Sequence, residues 1–390
     1  MPSSPRNPVL DAFGTYPFVR LTQAKAAAQQ RGAHLIDFGI GEPREETPAF
    51  IVAELVRAVQ AERVSTYPTA EGLPELREAI AQWAHRRFGS VLDPATEIVP
   101  TYGSKEIVFG LANVLVDRDG GRDLVACTTP GYPVPARGAA FAGARAVELE
   151  LTVERDWLPD LDAIDWERLA LLWLNYPNNP TGTTAPLAFL EEAAERCRAH
   201  GAVLASDEAY SELWFEGDPP ASALQLADRT NVLVCNTLSK RSSMPGYRSG
   251  FIAGDPELIA VLKRHRPSVG VAPQTFVQRA AALAWRDEAH VEQVRDRYRA
   301  KRDALLPSLR RAGLELVGGD ATFFCWLAVP DGDDEAFAMA LLDELDLVVA
   351  PGSYLGAAGA GHVRVALVPT LEACQEAARR LDARSAKLGP

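Results

Sequence analysis

Several segments of this chain concentrate residue types that do chemistry, and each stands at the end of a candidate buried strand. Residues 169–175 run into Tyr176-Pro177-Asn178-Asn179-Pro180-Thr181-Gly182, and residues 202–206 into Asp207-Glu208-Ala209-Tyr210. Residues 232–236 run into Thr237-Leu238-Ser239-Lys240-Arg241, with Gly246-Tyr247-Arg248-Ser249-Gly250 close behind. A lysine amine can attack a carbonyl and carry a proton. A carboxylate beside a basic nitrogen raises that nitrogen's pKa, and an arginine grips a carboxylate or phosphate through two parallel bonds. Gly103-Ser104-Lys105 stands where a helix begins, and unpaired N–H groups at the positive end of a helix dipole suit an anion. Each piece also has a plain structural reading. Asn, Pro and Gly make turns, Asp207 can cap a helix, Lys240 alone would be a solvated lysine, and Arg364 in a strand would be a surface arginine. Their order and placement carry the chemical reading.

The elements that must position these residues can be read from periodicity. Short apolar runs at 124–128, 169–175, 202–206, 232–236 and 250–253 alternate with helical patterns, which implies a mostly parallel α/β sheet flanked by helices. Thr47-Pro48 reads as an N-cap followed by proline at the first helical position, opening a helix to about Arg63. A second helix is expected from Pro74 to Phe88, ended by Gly89. A third begins at Ser104, with Ile107, Val108, Leu111, Ala112 and Leu115 on one face. In such a sheet ligands bind beyond the carboxyl ends of the strands, where the segments above lie. From about Thr275 the pattern changes to long charged helices, strands near 323–329 and 363–367, and a closing helix over 371–388. The expected division is a large domain at 48–275 and a smaller α+β domain formed by 1–47 and 276–390.

Composition narrows the function classes. The 390 residues exceed one ordinary core, and 47% hydrophobic with 24% charged residues is a globular profile. A net charge of −12 supplies no basic face for nucleic acid. The first ten residues hold three prolines and no apolar run, so no secretory signal is expected there, and no apolar stretch is long enough to span a bilayer. The five cysteines are scattered without a CxxC pair, which implies buried free thiols in a reducing, cytoplasmic setting. The histidines form no HxxxH or HExxH cluster, so no metal is expected.

Taken in order, Gly39-Ile40-Gly41-Glu42-Pro43, Tyr67-Pro68, Gly103-Ser104-Lys105, Pro130-Gly131-Tyr132-Pro133, the Asn179 loop, Asp207-Glu208-Ala209-Tyr210, Ser239-Lys240 and Gly246-Tyr247-Arg248-Ser249-Gly250 resemble the fold type I pyridoxal-phosphate (PLP) aminotransferases, the aspartate aminotransferase superfamily. The resemblance spans nearly the whole chain, from Gly39 to Leu367. It implies PLP fold type I and a ping-pong transfer of an amino group between an amino acid and a 2-oxo acid. Lys240 would form the imine with the cofactor aldehyde and later shuttle a proton. Asp207 would hold the pyridine nitrogen protonated. Tyr210 and Asn179 would donate to the cofactor's phenolic oxygen, and Tyr132 would stack on its ring. Gly103, Ser104, Lys105, Thr237 and Arg248 would bind the phosphate, joined by Tyr67 from the neighbouring subunit of a homodimer with shared active sites. Arg364, with Asn179 and the backbone of Gly41, would bind the substrate carboxylate.

The run 239–251 and the segment 37–44 are similar to N-succinyldiaminopimelate aminotransferases of lysine biosynthesis. This implies that substrate with glutamate and 2-oxoglutarate as the coupled pair, ahead of an aspartate or broad-range enzyme. Such a substrate needs distant cationic groups; Arg20 and Arg44 are candidates, while Arg241 could serve the dimer interface. A carbon–sulfur lyase or a cyclopropane-forming synthase on the same scaffold would keep every cofactor residue. A PLP-sensing regulator would need a DNA-binding domain ahead of Gly39, where about 40 residues stand. A nicotinamide dehydrogenase would need a GxGxxG after an early strand.

Overall fold

The computed structural model describes residues 7–13 and 18–388. Residues 1–6, six of the ten read above for a secretory signal, lie outside the described residues, as do 14–17 within the expected small-domain segment 1–47. The large unit is a seven-stranded sheet in the order Ile98–Thr101, Gly250–Gly254, Val232–Thr237, Val203–Asp207, Leu169–Asn175, Leu124–Thr129, Arg145–Glu150. Gly250–Gly254 runs antiparallel to both neighbours and the other pairings are parallel. The inner strands are buried along nearly their whole length, which is why they read as continuous apolar runs rather than alternations.

Helices cover both faces. Pro74–Phe88, Leu187–His200 and Thr275–Arg286 close one core, built on Trp83, Trp285, Phe251 and Leu204. Ser104–Gly110, Val134–Phe141 and Pro256–His265 close the other, with Val108, Ala139, Leu171 and Leu262. Pro74–Phe88 begins and ends where expected, with Pro74 at its first turn and Gly89 left-handed at φ +69°. Two helical expectations are corrected. Thr47 does not cap: its hydroxyl donates to the Ser243 carbonyl at 2.7 Å, and the helix Ala49–Ala61 starts after Pro48 without a side-chain cap. The helix from Ser104 comes in two pieces, Ser104–Gly110 and Ala112–Leu115.

The smaller unit carries an antiparallel sheet in the order Ala350–Pro351, His362–Ala366, Phe324–Ala328, Glu315–Leu316, covered by Ala289–Arg311, Asp334–Leu345 and Leu371–Leu388. The N-terminal segment joins it: Ile36–Asp37 pairs parallel with Leu347–Val348, and the Phe38 carbonyl accepts from the Ala366 N–H at 2.9 Å. The helix Thr275–Arg286 packs on the large unit through Ala280, Ala281, Ala284 and Trp285.

Candidate active site

Register places the functional strand ends side by side. Asn175 is the partner of Asp207, which is the partner of Cys235, and Thr237 lies opposite Gly250. Asn175 uses both ends of its amide. Its Nδ2 donates to the Asp207 carbonyl at 2.8 Å, and its Oδ1 accepts from the Asn179 N–H at 3.0 Å. The loop that carries Asn179 is thereby tied to the strand that carries Asp207. Sequence reading gave Asn175 no role, although an asparagine ending an otherwise apolar strand was the available signal.

Thr237 caps the short helix Leu238–Arg241 that presents Lys240. The hydroxyl accepts from the Ser239 N–H at 3.1 Å and reaches the Ser249 carbonyl at 3.0 Å, so the turn before Gly250 is drawn to the same place. Arg248, left-handed at φ +53°, donates to the carbonyls of Pro245 at 2.9 Å and Tyr102 at 2.8 Å. Gly103, at φ +73°, lies against that guanidinium; a Cβ there would sit 2.7 Å from an Arg248 nitrogen. Only glycine fits both the backbone angle and the approach. Lys105 is exposed, with its amine 5.8 Å from the centre of the Tyr132 ring. Thr237, Gly103, Lys105 and Arg248 thus form one cationic, N–H-rich corner. Tyr132, Asn175 and Asp207 line a small cleft beside it.

The amine of Lys240 donates to the Gly41 carbonyl at 2.7 Å and lies 5.2 Å from the Phe323 ring centre. Burial and the positive charge of Arg364 push its pKa down to about 7, against the opposing pull of Glu42. Asp207 is buried at the strand end, and burial pushes its carboxyl up to about 6, moderated by the Ala209 N–H, the Cys235 thiol and Lys240. Burial likewise holds the Tyr210 phenol well above its ordinary range, with Arg364 pulling the other way. Tyr210 packs edge-on against Phe323 and Phe324. Arg364 donates from one terminal nitrogen to Asn179 Oδ1 and from the other to the Gly39 carbonyl, both at 2.9 Å, and lies over the Phe324 ring. The Cβ of any residue replacing Gly41 would meet that ring at 2.7 Å.

The geometry therefore gathers Lys240, Asp207, Tyr210, Asn179, Arg364 and Gly41, with Tyr132 and the anion corner next to them. Other residues singled out lie elsewhere. Tyr67 is 94% exposed on the single chain. Arg20 pairs with Glu335 at 3.3 Å with most of its side chain in solvent. Arg44 faces Asp37 at 3.9 Å and lines a separate cleft of about 800 Å³ with Glu45 and Lys301. Arg241 does not serve a surface. It is 1% exposed, donates to the carbonyls of Ala284 and Asp287 and to Glu288, and stacks on Trp285. The five cysteines are free and buried, and no helix among the described residues is long and apolar enough to cross a membrane.

The donor set suits PLP. A poised amine, a buried carboxylate with no strong ion partner, and a cationic corner for a dianion are what an aldehyde, a pyridine nitrogen and a phosphate require. The family model "Aminotransferase class I and II" matches residues 33–381. An LL-diaminopimelate aminotransferase of Nitratidesulfovibrio vulgaris is 36% identical over 373 residues, covering 94% of this chain and 95% of the relative. One from Aquifex aeolicus is 36% identical over 378 residues, with 95% and 97% covered. These relatives carry the diaminopimelate theme of the expectation, but with the LL-diaminopimelate name rather than the N-succinyl one. An aminotransferase from Neisseria meningitidis superposes with a TM-score of 0.90 at 34% identity, covering 97% of this chain and all of the other. An aspartate aminotransferase variant of Thermus thermophilus gives 0.89 at 29% identity, with 98% and 100% covered. Strand order, the gathered donor set and these matches agree, and the chain belongs to the class I and II aminotransferases, PLP-dependent enzymes that move amino groups between amino acids and 2-oxo acids.

Proposed function

We propose that Lys240 carries the cofactor covalently and moves the substrate's α-proton, and that Arg364 with Asn179 binds the α-carboxylate. The supporting observation is that one short backbone segment touches both groups: Gly41 accepts from the Lys240 amine and Gly39 from the Arg364 guanidinium. Amine and carboxylate grip therefore face one substrate. When bound, PLP supplies an aldehyde for the Lys240 amine and a ring that draws the electrons left by the departing α-proton. Lys240 Nζ is neutral in a large fraction of molecules near pH 7 because burial and Arg364 disfavour its charge, so it can accept that proton and hand it back. Asp207 holds a proton at the ring nitrogen, Tyr210 and Asn179 hold the phenolic oxygen, and Tyr132 covers the ring. Gly103, Ser104, Lys105, Thr237 and Arg248 take the phosphate. Tyr67 completes the phosphate site of a second copy, an arrangement supported by its 94% exposure on the single chain and by the exposure of Val56, Val59 and Val64 in the segment that precedes it.

Arg364→Ala tests the carboxylate assignment. KM should rise for every amino acid and 2-oxo acid while kcat/KM falls, because truncating one partner of a buried charged contact costs about 2–5 kcal/mol. A defect confined to one substrate would move Arg364 to the side-chain end.

For the amino donor we favour LL-diaminopimelate, with 2-oxoglutarate as acceptor. The support is the relatives' name over nearly the full chain. The N-succinyl derivative, favoured by the run 239–251, is the second reading. On the single chain Arg20 pairs with Glu335 and Arg44 faces Asp37. The measurement is kcat/KM for LL-diaminopimelate, its N-succinyl derivative, aspartate, alanine and an aromatic amino acid, all with 2-oxoglutarate. LL-diaminopimelate should lead by at least about tenfold, roughly 1.4 kcal/mol of transition-state binding. A lead for aspartate or the aromatic would remove the diaminopimelate assignment and leave aminotransfer standing.

A further inference from the structure

The segment that touches both Lys240 and Arg364 is itself held by one side chain. Asp37 Oδ1 accepts from the Gly39 N–H at 2.8 Å, and Asp37 Oδ2 meets the amine of Lys25, with the Arg44 guanidinium 3.9 Å away. The peptide whose N–H is fixed by Asp37 lies one residue from the carbonyl that receives Arg364. The segment packs closely here, since a Cβ at Gly39 would stand 3.2 Å from Asp37 Oδ1 and 3.3 Å from Val348. Lys25 is delivered by the helix Phe18–Gln30, whose buried Leu21 and Ala28 pack with Leu342 and Val348 of the smaller unit. Lys25 lies four residues after Leu21, on the same helical face. The Lys25–Asp37 pair is mostly buried, with side-chain exposures of 20% and 13%, where an ion pair is screened less than at the surface.

We infer that Asp37, held by Lys25, is a positioning residue that sets the Gly39 carbonyl and through it the grip of Arg364 on the substrate carboxylate. This rests on the carboxylate role proposed for Arg364. Asp37 touches neither substrate nor cofactor in this arrangement; it acts through Gly39. Arg44 stands 3.9 Å from the same carboxylate and adds to this support.

The test uses the full-length holoenzyme with Asp37→Ala, Asp37→Asn, Arg364→Ala and the double variant Asp37→Ala/Arg364→Ala. The readouts are KM and kcat for the amino and oxo substrates, the Kd of 2-methylglutamate (which has no α-proton to lose), and Tm. Asp37→Ala should raise KM and that Kd about tenfold, the scale of one lost hydrogen bond to a charged group, with kcat reduced less than about threefold. Asp37→Asn, which keeps an oxygen for the Gly39 N–H, should recover part of the loss. In the Arg364→Ala background, Asp37→Ala should add little, because the group it positions is gone. Unchanged KM and Kd in Asp37→Ala, or losses in kcat, KM and Tm that move together and persist without Arg364, would overturn the inference. If Arg364→Ala itself leaves KM unchanged, the carboxylate assignment fails first and takes this inference with it. If Arg364→Ala is defective and Asp37→Ala is not, only the positioning role is lost.

Discussion

Lys240→Ala should purify without any cofactor that borohydride can fix to the protein, whereas the parent enzyme should be labelled on the peptide containing Lys240. Two lysines stand near the cofactor corner, and geometry distinguishes them. Lys105 is exposed at the anion corner, where its charge suits a phosphate. Lys240 has its amine on the Gly41 carbonyl, near the Tyr210 and Phe323 rings. Its pKa of about 7 makes about nine-tenths of it neutral at pH 8, against about 0.4% for an ordinary lysine near 10.4. Cofactor capture by the apoenzyme should therefore gain rate with rising pH around a midpoint near 7, since the neutral amine is the nucleophile. Turnover of Lys240→Ala should fall by at least the roughly 10²–10⁴-fold that one positioned proton-transfer group supplies. A reducible link surviving in Lys240→Ala, or a capture midpoint near that of a free lysine, would remove Lys240 from this role.

Much of this was legible in the chain, for identifiable reasons. The inner strands are covered on both faces, so Leu169–Asn175 and Val232–Thr237 announced themselves as unbroken apolar runs. The edge strands did not. Arg145–Glu150 is largely solvent-facing, and Ile98–Thr101 has only four residues, one of them Pro100, which an edge position tolerates. Lys240, Asp207 and Asn179 stood out because strand ends in such a sheet are where ligands bind. Arg241 and Thr47 misled because type and neighbourhood do not give direction. Arg241 follows Lys240 by one residue on a helix, so it points away, into Trp285 and Glu288. Thr47 stands where a cap belongs, yet its hydroxyl is used by the loop after Lys240. Asn175 had a local signal, an amide ending an apolar strand, whereas Gly39 and Asp37 matter through Arg364 and Lys25, partners brought to them by folding that no local pattern marks. Charge alone did not settle the distal-substrate groups: on the single chain Arg20 pairs with Glu335 and Arg44 faces Asp37.

Asp207→Ala should slow the amino-acid half-reaction by several powers of ten, each worth about 1.4 kcal/mol, while leaving the borohydride-reducible link at Lys240 intact. The separation of the two effects is what makes the test sharp. Asp207 ends its strand buried, tied by its backbone carbonyl to Asn175 and by its carboxylate to the Ala209 N–H. Burial lifts its pKa to about 6, so near neutral pH the group is mostly ionised but poorly solvated and gains strongly from a cationic N–H partner. That gain keeps the ring nitrogen protonated, because the carboxylate favours the charged form of its neighbour. An electron-poor ring lowers the barrier to α-proton removal; attaching an amine to an aldehyde does not depend on it. Asp207→Glu should restore part of the rate, since it keeps the charge and misplaces it by one methylene, whereas Asp207→Asn should not. The measurement is the single-turnover spectral change on mixing each variant with an amino acid. Near-normal rates in Asp207→Ala, or an Asn variant as fast as the Glu variant, would show that the buried carboxylate serves the strand end and not the cofactor nitrogen.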